Sequence, residues 1–301
     1  MHVGIVINPI SGRRGHQAGE AERRRAFTQS RADAAGVTAT IVMTEGAGHA
    51  RELAHGFVAA QCDGVIAMGG DGTVNEVAQA LVGTSIPLGI LPSGSGDGLA
   101  AGLGLTTDLE RSMHIALTAE PVAIDVGYAG DRLFLNIAGI GFDAAVAHLF
   151  AARSTRGFLG YVGTGGRLVW SYAAPEYEVR WHTAGVEEVR RGQKLLVGFA
   201  NGPTYGNQAV LAPDASLRDG LLDMVLVDSG GPVRQVWRAR RLFWNHRRAA
   251  EGFERARIVR ATVSAVTLVG HLDGEPFEAS GSLEIGVRPQ ALWVRPGRNN
   301  L

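Results

Sequence analysis

The first ninety residues repeat one rhythm, in which a short, β-branched apolar run passes through a polar turn into a segment with helical spacing. The apolar runs are VGIVIN (3–8), TATIVMT (38–44), VIAMG (65–69) and PLGILP (87–92), and helical patterns cover about 16–36, 48–60 and 74–82 between them. Strands of that kind, separated by helices, imply a parallel sheet with helices on both faces. Such a doubly wound sheet binds ligands at the carboxyl ends of its strands. The loops there are where chemistry is to be sought.

From about residue 122 the pattern changes to strand-length runs separated by Gly, Asp and Pro. VAIDVGYA, RLFLNIA, YEVRWHT, KLLVGFAN, LLDMVLV, ATVSAVTLV and SLEIGV follow in turn, with helical interruptions only near 144–172 and 233–250. This spacing predicts an antiparallel β-sandwich. The expected architecture is α/β, with a nucleotide-binding domain over 1–122 and a β-sandwich domain over 123–290. A last strand, ALWVRP (291–296), lies in a segment of about 288–301 that is able to return to the first domain. With 301 residues, 46% of them hydrophobic, the chain is long enough to bury two cores.

Three loops fall at successive strand ends. GGDGTVNEV (69–77) follows the third apolar run and leads into a helix, and its glycines let backbone amides approach phosphate oxygens at a helix N-terminus. Thr73 and Glu76 fit a capping box, which would start the helix there. Asp71 is out of place among phosphate-binding amides unless a cation stands between, which argues for Mg²⁺. NPISG (8–12) offers Asn8 and Ser11 as side-chain donors, and SGSGDG (93–98) offers Ser95 and its amides. Singly these are ordinary turn sequences. Together, at the ends of one parallel sheet, they describe a nucleotide site.

Other chemistries are excluded by spacing. The sequence holds no G-x-x-x-x-G-K-[ST], no G-x-S-x-G and no H-E-x-x-H. GIGFDA (139–144) fits a dinucleotide fingerprint but lies in the β-rich half. With 29 basic and 29 acidic residues there is no net field to attract nucleic acid, and none is expected as a partner. The single cysteine, Cys62, sits in an apolar stretch and reads as a buried thiol. No apolar run reaches a bilayer-spanning length and the N-terminus lacks a signal pattern, so the expected location is cytoplasmic, peripheral to the inner membrane face. Nothing in the sequence fixes an oligomeric state.

Taken in order with TEGAGHA (44–50), the three loops resemble the diacylglycerol kinase catalytic-domain family, which includes bacterial lipid kinases and sphingosine and ceramide kinases. The resemblance continues through AIDVG (123–127), NIAGIGFDA (136–144), LAPDASLRDGLLDMVLV (211–227) and HLDGEPFE (271–278), and so covers nearly the whole chain. It implies an active site in the cleft between the two domains, ATP and Mg²⁺ as cofactors, and the hydroxyl of diacylglycerol or a related lipid as acceptor. A ceramide or sphingoid base is the alternative acceptor, with an NAD kinase or a catalytically silent binding protein behind it. Asn8, Thr44, Ser95 and the stretch Gly69, Gly70, Asp71, Gly72, Thr73, Val74 and Asn75 match the family's ATP contacts. Glu275 matches its catalytic base, and Asp219 with the carbonyls of Ser216 and Leu221 matches a structural Mg²⁺ site of bacterial members. Asp125 resembles a further acid of the network joining the domains.

Phosphoryl transfer to an alcohol needs a metal on the phosphates, a positioned hydroxyl and an acceptor for its proton. Asp71 near the metal and Glu275 near the hydroxyl would meet those needs, and which of the two takes the proton stays open. Asp273-Gly274 is also a good hairpin dipeptide, so Glu275 reads equally as the residue after a turn. SGSGDG departs from the Gly-Thr-x-Asn-Asp of many bacterial members and is similar to the sphingosine and ceramide kinase form. Asp143 falls where those enzymes place an acid against the lipid head, and reads otherwise as a helix N-cap. Finally, PVRQVWRARRLFWNHRRAA (232–250) carries six arginines, no acid, and Val236, Trp237, Phe243 and Trp244. It reads as a basic amphipathic helix able to make transient contact with an anionic membrane, or as a helix packed on the β-domain.

Overall fold

The computed structural model describes residues 1–297 except 13, 14, 16, 95, 152–169, 171, 184, 207, 208 and 245–250, with backbone alone at 147–151, 204–206, 209 and 239–244. It divides into two compact units, Met1–Val126 with Pro289–Leu301, and Gly127–Arg288.

In the first unit β1 (His2–Ile7), β2 (Thr38–Met43), β3 (Gly64–Gly69) and β4 (Leu88–Pro92) form a parallel sheet in the order β4-β3-β1-β2. Ile5 aligns with Ile41 on one side and Ile66 on the other, so all three strands end at one level. The carboxyl end of β15 (Glu275–Val294) joins β4 in parallel through Val294 and Leu88. Alternate residues face opposite layers. Val3, Ile5, Ile7, Ile66 and Met68 pack with α1 (Glu20–Ala34) and α5 (Leu109–Thr118) through Ala32, Met113 and Leu117. α2 (His49–Ala59) and α3 (Asp71–Leu81) pack against one another and on β1 and β3, burying Ala54 and Phe57 from α2 and Val77 and Leu81 from α3. A short helix, α4 (Gly98–Gly102), follows the loop after β4. At the far end of the unit the buried Asp125 accepts the Gln290 amide at 2.8 Å, fixing β15 where it turns toward β4.

β5 (Val122–Ala129) crosses the division, which falls four residues beyond the expected start of the β-domain at 123. The second unit contains β6 (Arg132–Phe134), β7 (Ile137–Gly141), α6 (Phe142–Ala151), β8 (Glu176–Thr183), β9 (Val186–Ala200), β10 (Thr204–Gly206), β11 (Ala209–Val210), β12 (Leu222–Asp228), α7 (Pro232–Trp244), β13 (Phe253–Ile258) and β14 (Arg260–Leu272). Its strand pairings are antiparallel. The long strands β9 and β14 each pair β8 along one half and β7 along the other. The layers thereby close over one core of Tyr177, Trp181, Phe199, Met224, Val263 and Ile285.

Two local readings are corrected by the fold. RLFLNIA is not one strand. It breaks between β6 and β7 because the amides of Leu135, Asn136 and Ile137 all turn to the Asp273 carboxylate, at 2.6, 2.9 and 2.9 Å. α3 begins at Asp71 and not at Thr73, with Gly70 as its N-cap. Glu76 therefore does not close a box on its own helix. Its carboxylate accepts the amides of Gly48 and Ala50 at 2.8 and 3.0 Å, capping α2 from its neighbour.

Candidate active site

Each strand of the first unit ends in a loop, and side chains tie these loops together. Asn8 follows β1; its amide donates to the Met68 carbonyl at 2.8 Å, its side-chain oxygen accepts the Ile10 amide at 3.1 Å, and its side-chain nitrogen donates to Thr73 Oγ1 at 3.0 Å. Ser11 Oγ lies 2.9 Å from Ser93 Oγ, joining the first loop to the one after β4. Asp71 Oδ1 accepts the Gly98 amide at 2.7 Å, joining that loop to the start of α3. The closeness is steric as well. A Cβ on Gly94 would stand 2.5 Å from Gly70 Cα, and one on Gly96 2.6 Å from Asp71 Oδ2. At Gly94 the obstacle is backbone, so the two loops can touch there only through glycine.

Thr44 continues the β1–β2 ladder, its amide donating to the Ile7 carbonyl at 2.9 Å, and the TEGAGHA loop beyond it is held by Glu76. Thr73, Val74 and Asn75 are buried in the first turns of α3, with Asn75 accepting from Gln79 at 2.8 Å. Asn8, Ser11, Thr44 and the Gly69–Asn75 stretch, Gly72 included, thus belong to one unit and one end of its sheet. Ser95 lies outside the described residues.

The sequence reading misses a buried cation behind this site. Arg24 of α1 is only 5% exposed. Its guanidinium donates to the Asn8 carbonyl, Ser11 Oγ and the Ser11 carbonyl at 2.7, 2.7 and 2.8 Å, and pairs with Glu20 at 3.2 Å. Among the run Glu-Arg-Arg-Arg of a polar helix no local spacing marks it out. Its charge stands beneath the loop from which the phosphate-binding lysine of other enzymes is missing.

The loop after β4 carries a second carboxylate, Asp97, held in the left-handed region at φ 48° with Oδ1 accepting the Gly94 amide at 3.1 Å. Burial pushes its carboxyl above the usual range, and the Gly94 amide only partly offsets that. A folded pKa above the unfolded one means that the native state holds its proton longer. The resulting penalty is absent below the unfolded pKa of about 3.9, grows as pH rises through the folded value and is complete at neutrality. Asp97→Asn keeps the acceptor and tolerates the left-handed backbone. Its melting temperature is expected to exceed that of the wild type at pH 7 and to match it at the acid end of a pH series.

A polyphosphate suits this amide-rich, glycine-lined end of the sheet. A divalent cation carried on it would take one protein carboxylate, Asp71, with phosphate oxygens and water completing its shell, which is a common arrangement for Mg²⁺.

In the second unit, Glu275 is the first residue of β15, opposite Leu272 across a two-residue turn. Asp273 and Gly274 form that turn at φ 50° and 91°, as a type I′ hairpin requires. The adjacent acids differ in role. Asp273 is committed to the three amides of residues 135–137, whereas Glu275 is exposed. Two residues before the turn, on β14, His271 Nε2 meets Asp143 Oδ2 at 3.0 Å, both side chains buried. Asp143 sits inside α6 rather than at its N-cap, its Oδ1 taking the Ala144 amide at 2.8 Å. Burial, reinforced by the Asp143 charge, pushes the Tyr177 hydroxyl up to about 12 and that of Tyr172 higher still, so both remain neutral.

The remaining predicted ligands lie on the loop that leads into β12. Asp219 Oδ1 accepts the Leu221 amide at 3.0 Å and Oδ2 accepts the Arg257 guanidinium, while Ser216 Oγ accepts the Arg218 amide at 3.3 Å. Among the described residues no group of three His, Cys, Asp or Glu side chains is placed to hold a metal.

Residues 2–129 match the family model for the diacylglycerol kinase catalytic domain, and residues 136–295 match that for the YegS C-terminal NAD kinase beta sandwich-like domain. A probable lipid kinase YegS-like from Pseudomonas putida is 33% identical over 254 residues, 82% of each chain. The protein of the same description from Pseudomonas syringae pv. tomato is 32% identical, covering 86% of this chain and 84% of its own. Two solved structures from Bacillus anthracis, a diacylglycerol kinase and a putative one, superpose on 100% of this chain and 98% of theirs with TM-scores of 0.74 and 0.76 at 17% and 21% identity, a likeness of fold. With both domain models matched in sequence order, the chain belongs to the diacylglycerol kinase catalytic-domain family.

Proposed function

We propose that this enzyme is a lipid kinase that transfers the γ-phosphate of ATP, as its Mg²⁺ complex, to the hydroxyl of diacylglycerol or a related lipid. The observation that carries the proposal is the interlocked set of glycine loops around Asp71 at one end of the parallel sheet, in a chain whose relatives are described as lipid kinases. When bound, Mg²⁺ would neutralise phosphate charge. The loop amides would orient the phosphates, Asp71 would hold the metal side of the site, and Glu275 would accept the hydroxyl proton.

The test is phosphate transfer from labelled ATP to diacylglycerol, ceramide, sphingosine and NAD⁺ in parallel, the lipids in mixed micelles. Transfer to diacylglycerol, with Glu275→Gln slowing it about 10²–10⁴-fold, is the expected result. Transfer to ceramide or sphingosine alone would move the assignment to the alternative lipid, and transfer to NAD⁺ alone would end the lipid reading.

A lipid acceptor also calls for contact with a membrane surface. No helix among the described residues is long and apolar enough to cross one. α7 supports a surface contact. Gln235 and Arg238 are buried, Arg238 donating to the carbonyls of Asp228 and Ser229 at 2.6 and 2.7 Å, while Val233 and Trp237 are 72% and 48% exposed. The helix is thus both docked on its domain and apolar outward beside Arg234. The side chains of Phe243 and Trp244 lie outside the described residues. Co-sedimentation with anionic vesicles, weakening with salt and with Trp237→Ala, is expected. Equal sedimentation with neutral vesicles would remove the electrostatic part of the contact.

A further inference from the structure

The loop of the second unit that the family resemblance marks for a divalent ion has its charge balanced from within. Asp219 is its acceptor, and both of its oxygens have donors, the Leu221 amide at 3.0 Å and the guanidinium of Arg257. Arg257 does not arrive there by chance of a flexible loop. It lies in β13 directly opposite Asp223 of β12, and Arg255, two residues earlier and on the same strand face, stands opposite Val225.

The acids around this face are Asp214, Asp219 and Asp223, and the two arginines answer them. Burial pushes the Asp223 carboxyl up; Arg257 and Arg255 pull it down, while Asp219 and Asp214 raise it further. Burial lowers Arg255, and Asp223 and Asp214 support its charge. A hard cation at Asp219 would have to share the carboxylate with the guanidinium and would sit beside a fixed positive charge.

We infer that Arg257 is the resident cation of the Asp219 loop and that it keeps divalent metal out of this site. The inference goes beyond the proposed function and depends on neither its acceptor nor its nucleotide.

The test is the unfolding midpoint of the nucleotide-free full chain, stripped with chelator and then titrated with Mg²⁺. An Asp71→Asn background removes any contribution from the first unit. The midpoint is expected to stay flat with Arg257 present. Arg257→Gln is expected to acquire a saturable rise at millimolar Mg²⁺, which Asp219→Asn added to it abolishes. A saturable rise in the protein retaining Arg257, lost in Asp219→Asn, would overturn the inference. So would a flat response in Arg257→Gln, since the loop would then exclude metal whichever residue faced it. Mn²⁺ binding read by its paramagnetic resonance gives the same two outcomes at low temperature if Arg257→Gln melts too early for a titration.

Discussion

Asp71→Asn is expected to reduce phosphate transfer about 10²–10³-fold, the range seen when a charge-stabilising group is removed from a reaction centre. The substitution separates the two things that Asp71 does. Its Oδ1 accepts the Gly98 amide at 2.7 Å, and an asparagine oxygen accepts that bond equally well. The loop after β4 should therefore keep its place against α3, and stability should change by less than about 1 kcal/mol. What asparagine removes is the negative charge that a metal on the phosphates would meet. Asp71→Ala removes both and should lose stability as well as activity, by about 1–2 kcal/mol for an amide left without its acceptor. Steady-state transfer rates beside thermal melts of both variants decide the matter. Full activity in Asp71→Asn would take the carboxylate out of the chemistry. Equal losses of stability in the two variants would make it a structural cap.

The sequence is most legible where one local pattern admits one structure. Strands buried on both faces and separated by helices leave little besides a parallel sheet, and strand ends then locate the loops. Asn8, Ser11, Asp71 and Thr73 accordingly fall together. Glu76 shows where such reading stops. Thr73-x-x-Glu76 has the form of a local capping box, yet the carboxylate serves α2 through Gly48 and Ala50. Spacing within one helix carries no information about the end of another. Asp273 and Glu275 make the same point two residues apart. One lies in the turn and the other just after it, and the Asp273 carboxylate takes three buried amides while Glu275 stays exposed. Some structure was open to a closer reading. α5 is capped by Asp108, whose side chain accepts the amides of Glu110 and Arg111, a signal visible in TTDLERSMHIAL. The balance of charge at Asp219 was not open, because Arg257 reaches it by a strand pairing 38 residues away in sequence.

Arg24→Ala is expected to cost about 3–5 kcal/mol of stability, the largest loss of any single substitution in the first unit considered above. Three acceptors would lose a charged donor together: the Asn8 carbonyl, the Ser11 carbonyl and Ser11 Oγ, all within 2.8 Å of the guanidinium. Glu20, whose side chain is only 15% exposed, would lose its closest cation. Water is poorly placed to replace the donors, since Arg24 is 95% withdrawn from solvent and the space left would be narrow. Arg24→Lys keeps the charge but not the fork that serves both ends of Ser11, and about half the loss should remain. Urea unfolding should show a lower midpoint at unchanged slope in both variants. The site should register the change separately. NPISG carries two of the candidate nucleotide contacts, Asn8 and Ser11, so Arg24→Lys, folded at ordinary temperature, should raise the KM for ATP more than it lowers kcat. A fall in kcat at unchanged KM would mean that the arginine acts on the transferred phosphate itself and not through the loop it holds.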